Sequence, residues 1–314
     1  MVIAAIIFAQ SINLVLAQYA RGTGRIKLYV INGLVTAMMI FAIVSLLLNY
    51  FHMGIMGYFI GMVVAFTISN LVFFCFSGNV VEKLAKAPWD GTLMKRMLLY
   101  SLPLIPNTLM FWIMNASDRL LIQAFLGLTA NGYYAVANKI PVLLNTLSSV
   151  FIQAWQLSAI EENEQENRDR FYSSVFNALA SFMIIISSII LCFLKWGFGV
   201  AIGSEFFGAW KFVPIQLFAM IFAGLSAFIG VIYTVQMRTN QVFMTSFVGA
   251  ACNVGLNFWL TPQIGLYGVA FATAISFFFV WIVRFIQTRK YVKIRMQYVV
   301  IIPAFIVFVM SLSR

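Results

Sequence analysis

Ser101-Leu-Pro-Leu-Ile-Pro-Asn-Thr-Leu-Met-Phe-Trp-Ile-Met-Asn-Ala-Ser-Asp-Arg-Leu-Leu-Ile-Gln-Ala-Phe-Leu126 carries only two charged side chains, Asp118 and Arg119, in 26 residues. A helix of that length, at about 1.5 Å per residue, is long enough to cross the roughly 30 Å hydrocarbon core of a bilayer. A soluble helix of the same length would carry charged residues along one face, and here they are confined to one adjacent pair. It reads as a membrane span.

The same texture extends outward in both directions. Of 314 residues, 62% are hydrophobic and 9% charged, against roughly a quarter charged in a soluble domain, and the mean hydropathy is +0.95. A window of about 19 residues predicts ten spans, over 1–20, 28–48, 55–77, 99–126, 132–156, 171–194, 211–236, 242–261, 267–287 and 298–313. The fold class is therefore an all-α polytopic membrane bundle. The net charge of +11 does not indicate nucleic acid, because fourteen of the twenty Lys and Arg residues sit in alternate loops, Arg21 to Lys27 and Arg289 to Arg295 among them. The positive-inside rule puts those loops in the cytoplasm and Met1 outside. Met1 to Ala20 lacks a basic n-region and a cleavable end, so it reads as a span. A chain that opens outside without a signal is expected to lack upstream helices.

An internal repeat supports that expectation. Lys27 to Phe66 aligns with Arg238 to Phe277 at a constant offset: a cytoplasmic base, an apolar span, a short outer turn, then G-x-x-G as Gly54 with Gly57 and Gly265 with Gly268. Glycines at i, i+3 let a helix start close against its neighbour. The repeat predicts lobes of six spans. Residues 1–77 are then the last three spans of a first lobe, 78–98 a cytoplasmic inter-lobe loop, 99–287 a complete second lobe and 288–314 an extra span.

Ser101-Leu-Pro-Leu-Ile-Pro-Asn107, Asn115-Ala-Ser-Asp-Arg119, Asn131-Gly-Tyr-Tyr-Ala-Val-Ala-Asn-Lys-Ile-Pro141 and Gln153-Ala-Trp-Gln156, with the Ala20-Arg-Gly22 loop, resemble the polysaccharide flippases of the multidrug, oligosaccharidyl-lipid and polysaccharide exporter superfamily. The resemblance covers the whole chain and is strongest from Ser101 to Glu162. It implies two six-helix lobes around a central cavity, working by alternating access on undecaprenyl-pyrophosphate-linked oligosaccharide in the bacterial cytoplasmic membrane. Such proteins have 12 to 14 spans, so about three are missing at the front. The implied partners are the lipid-linked substrate, membrane lipids, and polysaccharide polymerase and chain-length proteins; a monomer is expected.

Ionisable groups inside spans are costly and mark candidate sites. Counted among them are Asp118, Arg119 and Lys139, at similar depth on consecutive helices. Asp118 could pair with Lys139 while Arg119 faces a cavity, or the reverse, or all three could be a self-satisfied cluster. Polar stripes at helical spacing run through Lys139, Thr146, Ser149, Gln153 and Gln156; through Thr108, Trp112, Asn115 and Arg119; through Gln10, Asn13, Ala17 and Arg21; and through Ser246, Gly249, Asn253 and Asn257. The candidate substrate-binding set is Arg119, Lys139, Asn115, Gln153, Arg21, Asn13 and Asn253, with Asp118 the candidate for ion coupling. Singly, these amides also suit interhelical hydrogen bonds.

No cofactor or metal is expected. His52 is the single histidine, Cys75, Cys192 and Cys252 have no C-x-x-C spacing, and neither a Walker A sequence nor G-x-S-x-G occurs. The alternatives are a drug or metabolite exporter of the same superfamily, for which a cationic substrate would prefer carboxylates; a membrane polymerase or glycosyltransferase, for which the outer loops are short; and a structural partner in a glycan assembly complex.

Overall fold

The computed structural model describes residues 2–77 and 90–296, and no strand occurs among them. The chain divides into two compact units, Met1–Asp90 and Gly91–Arg314; the division falls within the stretch read above as the inter-lobe loop. In a bilayer each backbone amide must be satisfied within its own segment, so the apolar runs form helices. Among the described residues, eight apolar helical runs are long enough to cross. The tenth predicted span, 298–313, lies outside the described residues.

The first unit holds α1 (Val2–Gly22), α2 (Ile26–Asn49) and α3 (Gly54–Phe76). At one end, Arg25 donates from Nη1 to the Ser77 carbonyl at 2.7 Å, closing the end of α3 against the α1–α2 turn. Between the helices lies a buried network of neutral polar groups. Asn13 Nδ2 donates to Asn70 Oδ1 at 2.9 Å, Asn70 Nδ2 to the Ala9 carbonyl at 3.0 Å, and the Thr36 and Ser69 hydroxyls share a 2.5 Å bond.

The second unit holds α4 (Gly91–Ser101), α5 (Leu104–Glu161), α6 (Arg168–Ala201), a 3₁₀ segment (Ser204–Phe212), α7 (Val213–Val235), α8 (Thr239–Ile264) and α9 (Leu266–Thr288). The 58 residues of α5 would extend about 87 Å if straight, far beyond one bilayer. Gly127, at φ 86° and ψ 178°, breaks it into arms 104–126 and 128–161. The Tyr134 hydroxyl reaches Asp118 at 3.4 Å, a pair that an unbroken helix would hold about 24 Å apart. The arms therefore double back as two spans, as the sequence predicted. Trp155 fixes the second arm to α7: its ring stacks on Phe228 at 4.3 Å and its Nε1 donates to the Phe228 carbonyl at 3.2 Å.

The repeated G-x-x-G turns have the same local geometry. Gly54 and Gly265 take φ of 57° and 62°, where a Cβ is disfavoured. A Cβ on Gly57 would stand 2.8 Å from Met53 Cβ, and one on Gly268 2.5 Å from the backbone of Leu260. The correspondence continues down the next helix, since the buried positions Gly61, Ala65, Phe66, Ser69 and Phe73 of α3 match buried Ala272, Ser276, Phe277, Val280 and Arg284 of α9 at the same offset.

Candidate functional site in the second unit

A cavity of about 320 Å³ opens between the two arms of α5, α7 and α9. The first arm contributes Asn115 and Asp118, the second Asn138, Asn145, Ser149 and Gln153, and α9 contributes Thr273 and Phe277. On α7, Gly224 lets the helices approach: a Cβ there would meet Ser148 Oγ at 2.7 Å.

Asp118 is buried, 6% exposed, and belongs both to the cavity wall and to a network behind it. Its Oδ1 accepts from Asn257 Nδ2 at 2.6 Å, and its Oδ2 from the Thr273 hydroxyl at 3.1 Å and the Tyr134 hydroxyl at 3.4 Å. Asn257 Nδ2 also donates to Asn253 Oδ1, and Asn253 Nδ2 to Thr273 Oγ1, both at 3.2 Å. Every donor is neutral. Asn257 Oδ1, Thr261 Oγ1 and both polar atoms of Gln216 are buried with no hydrogen-bond partner among the described residues. A carboxyl group held by an amide N–H and two hydroxyls, with the amide oxygens of Asn253 and Asn257 in the same network, gathers hard ligands that suit a proton or a small oxygen-loving cation. A half-turn of the Asn257 amide would present its oxygen instead of its nitrogen to whatever Asp118 binds.

Of the sequence-predicted residues, the cavity brings together Asn115, Asp118 and Gln153. Asn253 lies fully buried in the network behind it. Asn13 and Arg21 belong to the first unit; Asn13 is held in the neutral network there, and Arg21 is buried at the end of α1. Neither of the pairings left open for Asp118, with Lys139 or with Arg119, forms: both cations are exposed and line no part of the cavity. The physical reason is rotational: the second arm turns Asn138, Val142, Asn145, Ser149 and Gln153 to the cavity, and Lys139 and Thr146 fall at the edge of that face.

Sequence reasoning missed Asn138, Asn145, Tyr134 and Thr273, and it omitted Arg284 from the ionisable groups inside spans. Arg284 is 2% exposed. Its guanidinium donates to Thr245 Oγ1 and the Ser226 carbonyl at 2.9 Å each, to Ser246 Oγ at 2.8 Å and to the Val242 carbonyl at 3.4 Å, which ties α7, α8 and α9 together.

Residues 1–156 match the family model described as polysaccharide biosynthesis protein. The curated proteins give no match. Among solved structures, a MATE protein in its bent conformation superposes with a TM-score of 0.77 at 14% identity, over 99% of this chain and 69% of that one. The Vibrio cholerae MATE transporter VcmN gives 0.76 at 12% identity, over 91% and 68%. The lipid II flippase MurJ, inward closed, gives 0.67 at 16% identity, over 100% and 67%. The chain thus spans about two thirds of the length of the structures it matches. With its apolar runs and its broken and doubled α5, the chain is a multi-pass helical membrane protein with the fold of the MATE and MurJ structures, and its first 156 residues resemble the polysaccharide biosynthesis protein family.

Proposed function

We propose that the protein flips undecaprenyl-pyrophosphate-linked oligosaccharide across the bacterial cytoplasmic membrane by alternating access, delivering it to polymerase and chain-length proteins for surface polysaccharide synthesis. The observation that carries the reading is the cavity in which the amides of Asn115, Asn138, Asn145 and Gln153 gather among apolar side chains such as Met114, Val142 and Ile152. A saccharide crossing the bilayer loses its water and needs such replacements for its hydrogen bonds, while the lipid tail remains in the hydrocarbon. Asp118 is the proposed coupling group. An intramembrane carboxylate without a cationic partner is a functional hypothesis by default, and the oxygens of Asn253, Asn257 and Thr273 around it complete a site for a proton or monovalent cation. The pyrophosphate is assigned to cations outside this cavity, with Arg119 and Lys139 the candidates.

A second reading, export of organic cations, is favoured by one fact: Asp118 is the single ionisable side chain on the described cavity wall. The test is a strain deleted for the flippase of its surface polysaccharide. Expression of this protein should restore the surface glycan and clear lipid-linked precursor from the inner leaflet. Efflux of tetraphenylphosphonium without restored glycan would favour the second reading instead.

A further inference from the structure

Resting on the flippase reading, we infer that the cavity of the second unit receives uncharged, hydroxyl-rich sugar residues and turns away the pyrophosphate. The two ends of a lipid-linked saccharide ask for opposite walls. Phosphate oxygens only accept hydrogen bonds, so phosphate sites are built from donors, above all Arg and Lys. A sugar hydroxyl both donates and accepts.

The wall answers the second demand. Asn138 and Asn145 each carry an NH₂ donor beside a carbonyl acceptor, Asn115 and Gln153 add two more amides to the wall, and Ser149 Oγ, donating to the Thr146 carbonyl at 2.8 Å, keeps its oxygen as an acceptor. Asp118, the one charge on the wall, can only accept while ionised, and it would repel a phosphate in a setting where charges are weakly screened. The nearby cations are turned elsewhere. Arg119 and Lys139 are exposed and line no part of the wall, and the Arg284 guanidinium is engaged by Thr245, Ser246 and two carbonyls. Phe277 supplies an aromatic edge for the apolar C–H face of a sugar ring. At about 320 Å³ the cavity is at the small end of ligand pockets, which run from about 300 to 1,000 Å³, as suits a short piece of a glycan.

The experiment uses the purified protein in nanodiscs, with Cys75, Cys192 and Cys252 replaced by Ala and a single cysteine introduced as Asn145→Cys, or one residue off the wall as Thr146→Cys. Maleimide labelling is timed with a panel of neutral disaccharides, with inorganic pyrophosphate and with tetraphenylphosphonium. A neutral disaccharide should slow labelling at position 145 by tenfold or more and leave position 146 unchanged, while pyrophosphate changes neither. Protection of position 145 by pyrophosphate overturns the inference and leaves the flippase reading standing. Protection by tetraphenylphosphonium alone overturns both, and no protection by any member of the panel overturns the inference. Ser149→Cys, on the same wall, replaces Asn145→Cys if that variant does not fold.

Discussion

Each unit buries a polar network, and the two are finished differently. In the first unit Asn13, Asn32, Thr36, Ser69 and Asn70 are all neutral and satisfy one another or a backbone carbonyl. In the second, Tyr134, Asn253, Asn257 and Thr273 converge on the Asp118 carboxyl, which has no cationic partner among the described residues, beside the unpartnered Asn257 Oδ1. All the buried polar side-chain atoms without a partner among the described residues belong to the second unit: Ser181, Ser187, Gln216, Ser226, Asn257, Thr261 and Trp281. A closed network of neutral groups holds helices together in lipid. An open one around a carboxylate spends stability that packing alone would not require, and the cavity beside it gives that cost a purpose.

The contrast can be broken by substitution. The largest stability loss is expected from Asn257→Leu, which strips the shortest hydrogen bond from the buried Asp118 carboxylate; bonds to charged groups contribute about 1.5–3 kcal/mol, so the melting temperature in detergent should fall clearly. A variant that melts like the parent would mean that Asp118 is not held as described. Next come the paired glycines. Gly268→Ala drives a methyl into the Leu260 backbone, whereas Gly57→Ala meets the Met53 side chain. Overpacking costs about 1–3 kcal/mol, and Gly268→Ala should fall at the upper end with Gly57→Ala below it. Equal losses would show that the two turns are packed alike. The smallest change is expected from Asn13→Leu, since hydrogen bonds between membrane helices contribute about 0.6–2 kcal/mol. It should lower stability and leave transport per folded molecule intact, and a drop in that rate would make the first network part of the machinery.

The spans were legible because lipid demands long apolar runs. The repeat was legible at Gly54 and Gly265, whose positive φ restricts the choice of residue. Asp118 stood out as a charge in such a run, and Asn253 with Asn257 as a stripe four residues apart. The face of the second arm was not legible. A helix wrapped by lipid and by other apolar helices has little contrast between its sides, so Lys139 and Thr146 looked as plausible as Asn138 and Asn145. What sets the rotation is the break at Gly127, and the sequence does not announce its angle. Thr273 and Tyr134 escaped because a threonine or tyrosine in an apolar helix reads as packing, and Arg284 because it sits among apolar residues close to the basic inner loop.

The most direct test of the central claim, that the second network works while the first one holds, is gradient-driven flipping of lipid-linked saccharide in proteoliposomes. Wild type, Asp118→Asn and Asn70→Leu are compared, each normalised to folded protein. The asparagine of the first variant keeps the shape of the side chain it replaces and removes the carboxyl group proposed to bind the coupling ion. That variant should reach normal abundance and lose the dependence of flipping on the ion gradient, whereas Asn70→Leu should lose abundance and keep its rate per molecule. An Asp118→Asn protein that still follows the gradient, with a rate lost in Asn70→Leu, would contradict the account.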